Sequence, residues 1–335
     1  MTVTQARADQ IISSFAGKRI LVLGDIMLDE FIWGKVRRIS PEAPVPVVEV
    51  ARETSHLGGA GNVVANLSAL GAVPLPLGIV GEDPAGGRLA DLLARQGIEF
   101  SGLISDGERQ TTVKTRIVAH NQQIVRADRE SKAPLPVDRI QALLTTFLKW
   151  MPSCSAIIVS DYDKGVVNRS LLSEALPAAK RANIPVLLDP KVYNADYYRP
   201  ITVITPNQRE AELLTGLTID DDNDQQLAAV GQRLLEKFEC PYALVTRGER
   251  GMSLFFQGGS HHLPTFAREV FDVSGAGDTV IATLALAVAA GADMKESATL
   301  ANLAAGLVVG KVGTATVNRA ELLADFASRN ARSSS

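Results

Sequence analysis

Only two cysteines, Cys154 and Cys240, occur in 335 residues. They lie far apart with no Cys-x-x-Cys spacing, which excludes a disulfide scaffold and a thiolate metal framework, suits a reducing compartment and makes both core thiols. Histidine is nearly as scarce: His56, His120, His261 and His262 show no metal-ligand spacing and read as surface or loop residues. There is no excess of positive charge. A formal net charge of −3 offers no basic field to nucleic acid or an anionic membrane, so neither is expected as a partner and an anionic substrate has to be held by local groups. Long hydrophobic runs are also missing. The most apolar stretch, Val280 to Ala290, is about half the length of a membrane span and rich in Ala, so it reads as a buried helix. Met1 to Gln5 carries no basic segment followed by an apolar run, so no secretory signal is expected and the chain is assigned to the cytoplasm.

What is present is an ordinary globular composition: with 46% apolar and 21% charged residues the chain folds rather than remaining disordered. The run Ile20-Leu21-Val22-Leu23 ends in Gly24-Asp25, as a buried parallel strand delivers polar residues to its carboxyl edge. The pattern recurs at Ala156–Asp161, Val186–Asp189, Val203–Asn207 and Ala243–Thr246, with amphipathic helical segments near 137–151, 170–182, 207–215 and 224–237 between them. This rhythm predicts an α/β fold, a Rossmann-like, mostly parallel central sheet flanked by helices. Ligands then collect at the carboxyl ends of its strands. Two period-2 segments, about 31–52 and 110–128, lack helices and are expected as an antiparallel β-lid inserted into one domain spanning 1–335. Such a lid could also pair with a second copy, giving a homodimer. The Ser-rich end, residues 329–335, is expected to fray.

Several glycine turns carry candidate chemistry. Asp272-Val273-Ser274-Gly275-Ala276-Gly277-Asp278-Thr279 leads into the Ala-rich helix, so the amides of 275–278 should converge at a helix N-terminus, an anion site. Asp278 beside a transferring phosphoryl group is placed to take the proton of an attacking hydroxyl, although the string alone also fits a glycine turn with an Asp cap. Leu57-Gly58-Gly59-Ala60-Gly61-Asn62 is a second turn feeding a helix, where a polyol could approach the backbone and bond Asn62, or where Asn62 simply caps. Asp25 and Asp29 follow the first strand, and paired carboxylates there suit bidentate bonds to hydroxyls. Asn207 and Glu210 open a helix three residues apart, which fits a water-mediated Mg²⁺ site and equally a capping pair. Thr246-Arg247-Gly248-Glu249-Arg250-Gly251 ends a strand in a glycine-bounded turn, either a nucleotide-phosphate loop or a plain hairpin. Gly306-Leu307-Val308-Val309-Gly310-Lys311 lacks the spacing and hydroxyl residue of a P-loop, and neither Gly-Ala-Gly turn has the third glycine of a dinucleotide fingerprint.

Gly58-Gly59-Ala60-Gly61-Asn62 and Asp272–Thr279 together resemble the two signatures of the ribokinase-like, phosphofructokinase-B type carbohydrate kinases, and the resemblance covers about residues 18–328. It implies a kinase using ATP and Mg²⁺. Asp278 matches the family's base and Gly275, Ala276 and Gly277 its anion hole. Asp25, Gly58, Gly59 and Asn62 match sugar-binding positions, Asn207 and Glu210 the Asn-x-x-Glu motif near magnesium, and Thr246, Gly248, Gly251 and Asn302 nucleotide-binding positions. The family's monovalent cation, K⁺ for example, implies ligands from Asp272 and the loop Lys311–Thr314. Within the family, Gly24–Asp29, Arg37–Pro46 and Lys114-Thr115-Arg116 with Asn121-Gln122-Gln123 resemble heptose-7-phosphate kinases of lipopolysaccharide inner-core assembly. A sugar that already bears a phosphate needs cations away from the transfer site, and Arg38, Lys114, Arg116 and Arg126 fall in the lid segments. Ribose, fructose, a fructose phosphate or a nucleoside remain alternative acceptors. Relatives of the heptose type are often fused to a nucleotidyltransferase, for which the residues after 328 leave no room.

Overall fold

A computed structural model describes residues 3–333 apart from 121, 132, 221–222, 268–270 and 312–314. Helix α1 (Gln5–Ser13) precedes strand β1 (Arg19–Gly24), after which the long hairpin β2 (Ile26–Ile39) and β3 (Pro46–Gly59) runs straight into α2 (Ala60–Ala69). Then come β4 (Val73–Gly81), α3 (Pro84–Arg95), β5 (Leu103–Asp106) and a second hairpin, β6 (Val113–Ala119) and β7 (Gln122–Arg129). The central repeats are α4 (Val137–Trp150), β8 (Ala156–Ser160), α5 (Arg169–Arg181), β9 (Val186–Asp189), β10 (Val203–Ile204), α6 (Gln208–Thr215), α7 (Asp224–Phe238) and β11 (Tyr242–Thr246). Strands β12 (Met252–Phe256) and β13 (Gly259–Leu263) and helices α8 (Ala276–Ala289), α9 (Met294–Val308) and α10 (Arg319–Ser333) complete the chain.

Nine strands form the main sheet in the order β13-β12-β11-β10-β9-β8-β1-β4-β5, parallel from β5 to β11 and antiparallel at β12 and β13. The apolar runs are continuous because both faces are covered. Ile20, Val22, Ile158, Leu187, Val203 and Leu244 point into a core with α1, α2, α8, α9 and α10, while the alternate residues Leu21, Leu23, Ile157, Val159, Leu188 and Val245 point into one with α4, α5 and α7. The Ala-rich α8 is buried all round from Asp278 to Ala287, as its composition requires. Both cysteines are free and buried.

The sheet order reverses at β1, with β4 on one side and β8 on the other, so the carboxyl ends of β1 and β8 form the topological switch point where such sheets bind ligands. Gly24 pairs there with Ser160, and a Cβ at Gly24 would collide with the Ser160 carbonyl oxygen.

The four lid strands form a separate sheet ordered β3-β2-β6-β7. It consists of the two expected antiparallel hairpins, but they join through a parallel pairing of β2 with β6. The first hairpin is also longer than expected, since Ile26, Met27, Leu28 and Leu57 at its base are buried and extend pairing down to the main sheet. Helix α10 runs through Ser333, and Arg329 is anchored by Asp325 at 2.6 Å and the Phe266 carbonyl at 2.9 Å.

Gly24→Ala should destabilise the fold by about 1–3 kcal/mol, the usual scale for overpacking a close-packed site. Denaturant unfolding measures this, and an unchanged midpoint would show that β1 and β8 can separate locally.

Candidate active site

Gly275 caps α8 in the left-handed region, at φ 78°, where a Cβ would strike the Asn62 amide. That conformation places Asp278 in the first turn of the helix, 6% exposed. Its two carboxylate oxygens are held from opposite sides: Asn62 Nδ2 donates to Oδ2 at 2.7 Å and Tyr162 Oη donates to Oδ1 at 2.6 Å. Asn62 is itself braced, because Asn66 Nδ2 donates to its carbonyl at 2.9 Å while Thr279 Oγ1 donates to Asn66 Oδ1 at 2.9 Å. Burial pushes the Asp278 carboxyl up to about 6, the Asp29 charge adds to the rise, and the bonds from Tyr162 and Asn62 with the Lys191 charge oppose it. The Ala276 N–H turns back to the Val273 carbonyl at 3.2 Å, so the amides at Gly277 and Asp278, which have no intrahelical acceptor, are those left to face an anion.

On the lid side, Asp29 Oδ1 accepts from Arg116 at 2.6 Å, and a Cβ at Gly58 would lie 2.6 Å from Asp29 Oδ2. Gly58 thus leaves room for that carboxylate. Gly59, at φ 56°, allows the close pass of Met27 and the Asp25 carbonyl as β3 turns into α2. Arg116 also lies over the Phe31 ring at 5.2 Å, and Lys114 lies over the Tyr162 ring at 5.5 Å. Register places Arg126 opposite Arg116 and Asp128 opposite Lys114 on the same lid face, with Arg126 paired to Asp128 at 2.9 Å.

Two expected residues are not where the sequence suggested. Asp25 does not offer a second free carboxylate beside Asp29: it is 2% exposed, and it accepts the backbone N–H groups of Tyr162 (2.9 Å), Lys164 (3.1 Å) and Val166 (3.1 Å). The pair is separated because Asp25 lies between β1 and β2 and turns its carboxylate to the 162–166 backbone, while Asp29 already belongs to β2 and meets Arg116. Arg38 stands nine residues beyond Asp29 on β2, past two bulges, which at about 3.3 Å per residue is about 30 Å along the strand. It is exposed near the hairpin tip and is not brought to the cleft.

On the other side, a cleft is lined by Tyr162, Asp189, Lys191, Thr205, Asn207 and Glu210 together with Gly275, Gly277 and Asp278. Asn207 and Glu210 form the capping box of α6, so the structural alternative holds for both. Yet Glu210 Oε1 also receives the Lys191 ammonium, inside the cleft. Burial works to lower the Lys191 pKa, but the bond and charge of Glu210, with Asp189 and Asp161, outweigh it and raise it. Burial and the neighbouring Asp278, Glu210 and Asp161 carboxylates push Asp189 well up, against the pull of Lys191. Beyond this cleft a cavity of about 480 Å³ opens between the 246–251 turn and helices α8 and α9. Thr246, Gly248, Gly251 and Asn302 all line it, and Asn302 Nδ2 is turned to the Pro264 carbonyl at 2.7 Å. The turn is a hairpin as well, pairing Thr246 with Met252. Asp272 Oδ1 caps Ser274 N at 2.8 Å, while 312–314 of the expected cation loop lie outside the described residues.

Tyr162, Asp189 and Lys191 escaped the motif reading. Their signal was positional: Ser160-Asp161-Tyr162 and Asp189-Pro190-Lys191 both stand just past strand runs that end at the switch-point edge.

A helix N-terminus bearing a buried carboxylate and facing a polar cleft and a neighbouring cavity suits a phosphoryl-transfer site. Residues 18–321 match the pfkB family carbohydrate kinases, and the chain belongs to that family. It is 48% identical over 308 residues to the Bifunctional protein HldE of Citrifermentans bemidjiense, covering 92% of this chain and 63% of the relative. It is likewise 48% identical over 304 residues to that of Geobacter sulfurreducens, covering 90% and 62%. The chain thus spans less than two thirds of the length of these curated relatives. Among solved structures, Escherichia coli phosphofructokinase-2 in complex with substrates and products superposes with a TM-score of 0.79 at 17% identity over 93% of this chain and 99% of that one. Arabidopsis thaliana ribokinase complexed with ribose and ATP gives 0.70 at 21% over 92% and 98%.

Because the Asp278 carboxyl is raised to about 6, a reaction needing its ionised form should weaken as pH falls through that value. The acid limb of kcat/KM, which reports the free enzyme, should therefore lie near 6. A limb at the ordinary carboxylate value of about 4 would count against it.

Proposed function

We propose that this chain transfers the γ-phosphoryl of ATP to O1 of D-glycero-β-D-manno-heptose 7-phosphate, giving the 1,7-bisphosphate for ADP-heptose and lipopolysaccharide inner-core synthesis. The observation that carries the reading is the Asp278 carboxylate, buried at the start of α8 and held by Asn62 and Tyr162 at the junction of the lid and the polar cleft. Asp278 accepts the acceptor's O1 proton as the oxygen attacks, and the Gly275–Asp278 turn meets the charge developing on the phosphoryl group. Asp29, Gly58 and Asn62 contact the sugar, and the lid face bearing Lys114, Arg116 and Arg126 meets its 7-phosphate. Asp25 and Gly59 shape that region from behind. Thr246, Gly248, Gly251 and Asn302 border the nucleotide cavity, and Lys191 moves from Glu210 onto the transferring phosphate.

Among the described residues no group of three or more His, Cys, Asp or Glu side chains could cage a metal. Hard oxygen donors at Asn207 and Glu210 instead suit Mg²⁺ arriving with the nucleotide and held through water; bound there it supplies positive charge to the phosphate oxygens. Asp272 is the candidate for a K⁺ contact. We read 1–335 as one kinase domain with the lid inserted. A homodimer through the lid is supported by exposed Ile39, Val50, Ile124 and Val125 on its strands. No helix among the described residues is long and apolar enough to cross a membrane, and substrates of this kind place the enzyme in the cytoplasm.

Asp278→Asn should lower kcat by about 10²–10⁴ with the fold intact, measured as ADP release with heptose 7-phosphate. Undiminished turnover would remove Asp278 as base. Arg116→Ala should raise KM for the phosphorylated sugar far more than for ATP. An equal rise in both would take the 7-phosphate away from the lid.

A further inference from the structure

Tyr162 is absent from every motif above, yet it touches the Asp278 carboxylate, the lid and the polar cleft. Its hydroxyl donates to Asp278 Oδ1 at 2.6 Å, while Asn62 holds Oδ2 at 2.7 Å. Two donors from different elements fix the plane of a carboxylate whose terminal torsion is otherwise broad. Each oxygen keeps a lone pair for the acceptor's hydroxyl. The phenol is not itself a base, because burial and the Asp278, Asp189 and Asp29 charges push its pKa well up and keep it a donor.

The ring is flanked by two cations from different parts of the molecule. Lys114 of the lid stands 5.5 Å from its centroid and Lys191 of the phosphate cleft 5.6 Å. The backbone beneath is clamped: Asp25 takes the N–H of Tyr162, Lys164 and Val166, and Arg109 donates to the carbonyls of Ser131, Ala133 and Lys164. Lys164 Nζ also reaches Glu130, the residue after β7, at 2.7 Å. The 162–166 loop is thus bonded to the main sheet, the lid and the Asp278 carboxylate together.

We propose that Tyr162 is a positioning residue for phosphoryl transfer, orienting the Asp278 carboxylate and coupling it to the position of the lid through Lys114. The inference rests on Asp278 being the base, so the test includes that variant. In the full chain, with ATP and heptose 7-phosphate, Tyr162→Phe removes one hydroxyl and keeps the ring between the two lysines. It should keep the thermal unfolding midpoint and the KM for ATP while lowering kcat about ten- to a hundredfold, the scale of a misplaced reacting group. In an Asp278→Asn background the same change should cost nothing further, because residues acting as a unit are non-additive. Wild-type kcat in Tyr162→Phe, or an equal loss in both backgrounds, would overturn the proposal. An active Asp278→Asn enzyme would overturn the base assignment beneath it. Tyr162→Leu, which also removes the ring, should show the same kcat loss plus a raised KM for both substrates as Lys114 and Lys191 lose their spacer; a Leu variant no worse than Phe would sink the coupling to the lid.

Discussion

The site is built on a buried carboxylate whose hydrogen-bond partners are backbone amides. Asp25 sits where the sheet order reverses, and an unpaired charge there would be costly. Burial, with Asp161 nearby, raises its carboxyl to about 6, and three backbone N–H bonds pull against that rise. Those donors come from one loop, so satisfying Asp25 fixes residues 162–166 over the end of β8. The neighbouring Asp161 does the same for the next segment, accepting from Asn194 at 2.8 Å, from Asp163 N at 2.7 Å and from the Tyr198 hydroxyl. Acids at the carboxyl ends of two adjacent strands thereby turn irregular backbone into a rigid floor.

Above that floor the cleft is short of cations. Among its lining residues Glu210 and Asp278 stand against the ammonium of Lys191, while burial pushes the Asp189 carboxyl well up, towards its neutral form. Such a cleft repels a bare polyphosphate and accepts one that brings its own metal, consistent with the roles proposed for Asn207 and Glu210. The lid carries the opposite balance, with Lys114, Arg116 and Arg126 on one face against Asp29 and Asp128. Asp29 and Arg116 neutralise each other at 2.6 Å with little solvent access, and Arg126 is paired with Asp128 at 2.9 Å but stays more open to solvent.

Most of the fold was legible because its elements are strongly periodic. Helices α4, α5, α6 and α7 fall within two residues of the segments read from amphipathic spacing, and the buried strands β1, β8, β9, β10 and β11 end at, or one residue before, the polar residues that announced them. The glycine turns were legible because left-handed backbone at Gly59 and Gly275 demands that residue. Distance was not legible. Asp25 and Asp29 are neighbours in sequence but face different surroundings across a strand boundary, and Arg38 shares a segment with the site while standing far along an extended strand. Tyr162 and Lys191 carry no motif because their placement comes from loops tied down by Asp25 and Asp161, contacts made across the sheet.

The parallel pairing of β2 with β6 bears on how the chain is made. Residues 26–39 leave the ribosome well before residues 113–119, which they pair with, so the first hairpin must wait with one edge of β2 open while β4, α3 and β5 emerge. An open strand edge is a template for wrong partners during that interval. Within the stretch that waits for β6, Leu28 to Gly34, β2 carries the charges of Asp29 and Glu30. Charges on an open edge disfavour pairing with a wrong strand, which is what that interval requires.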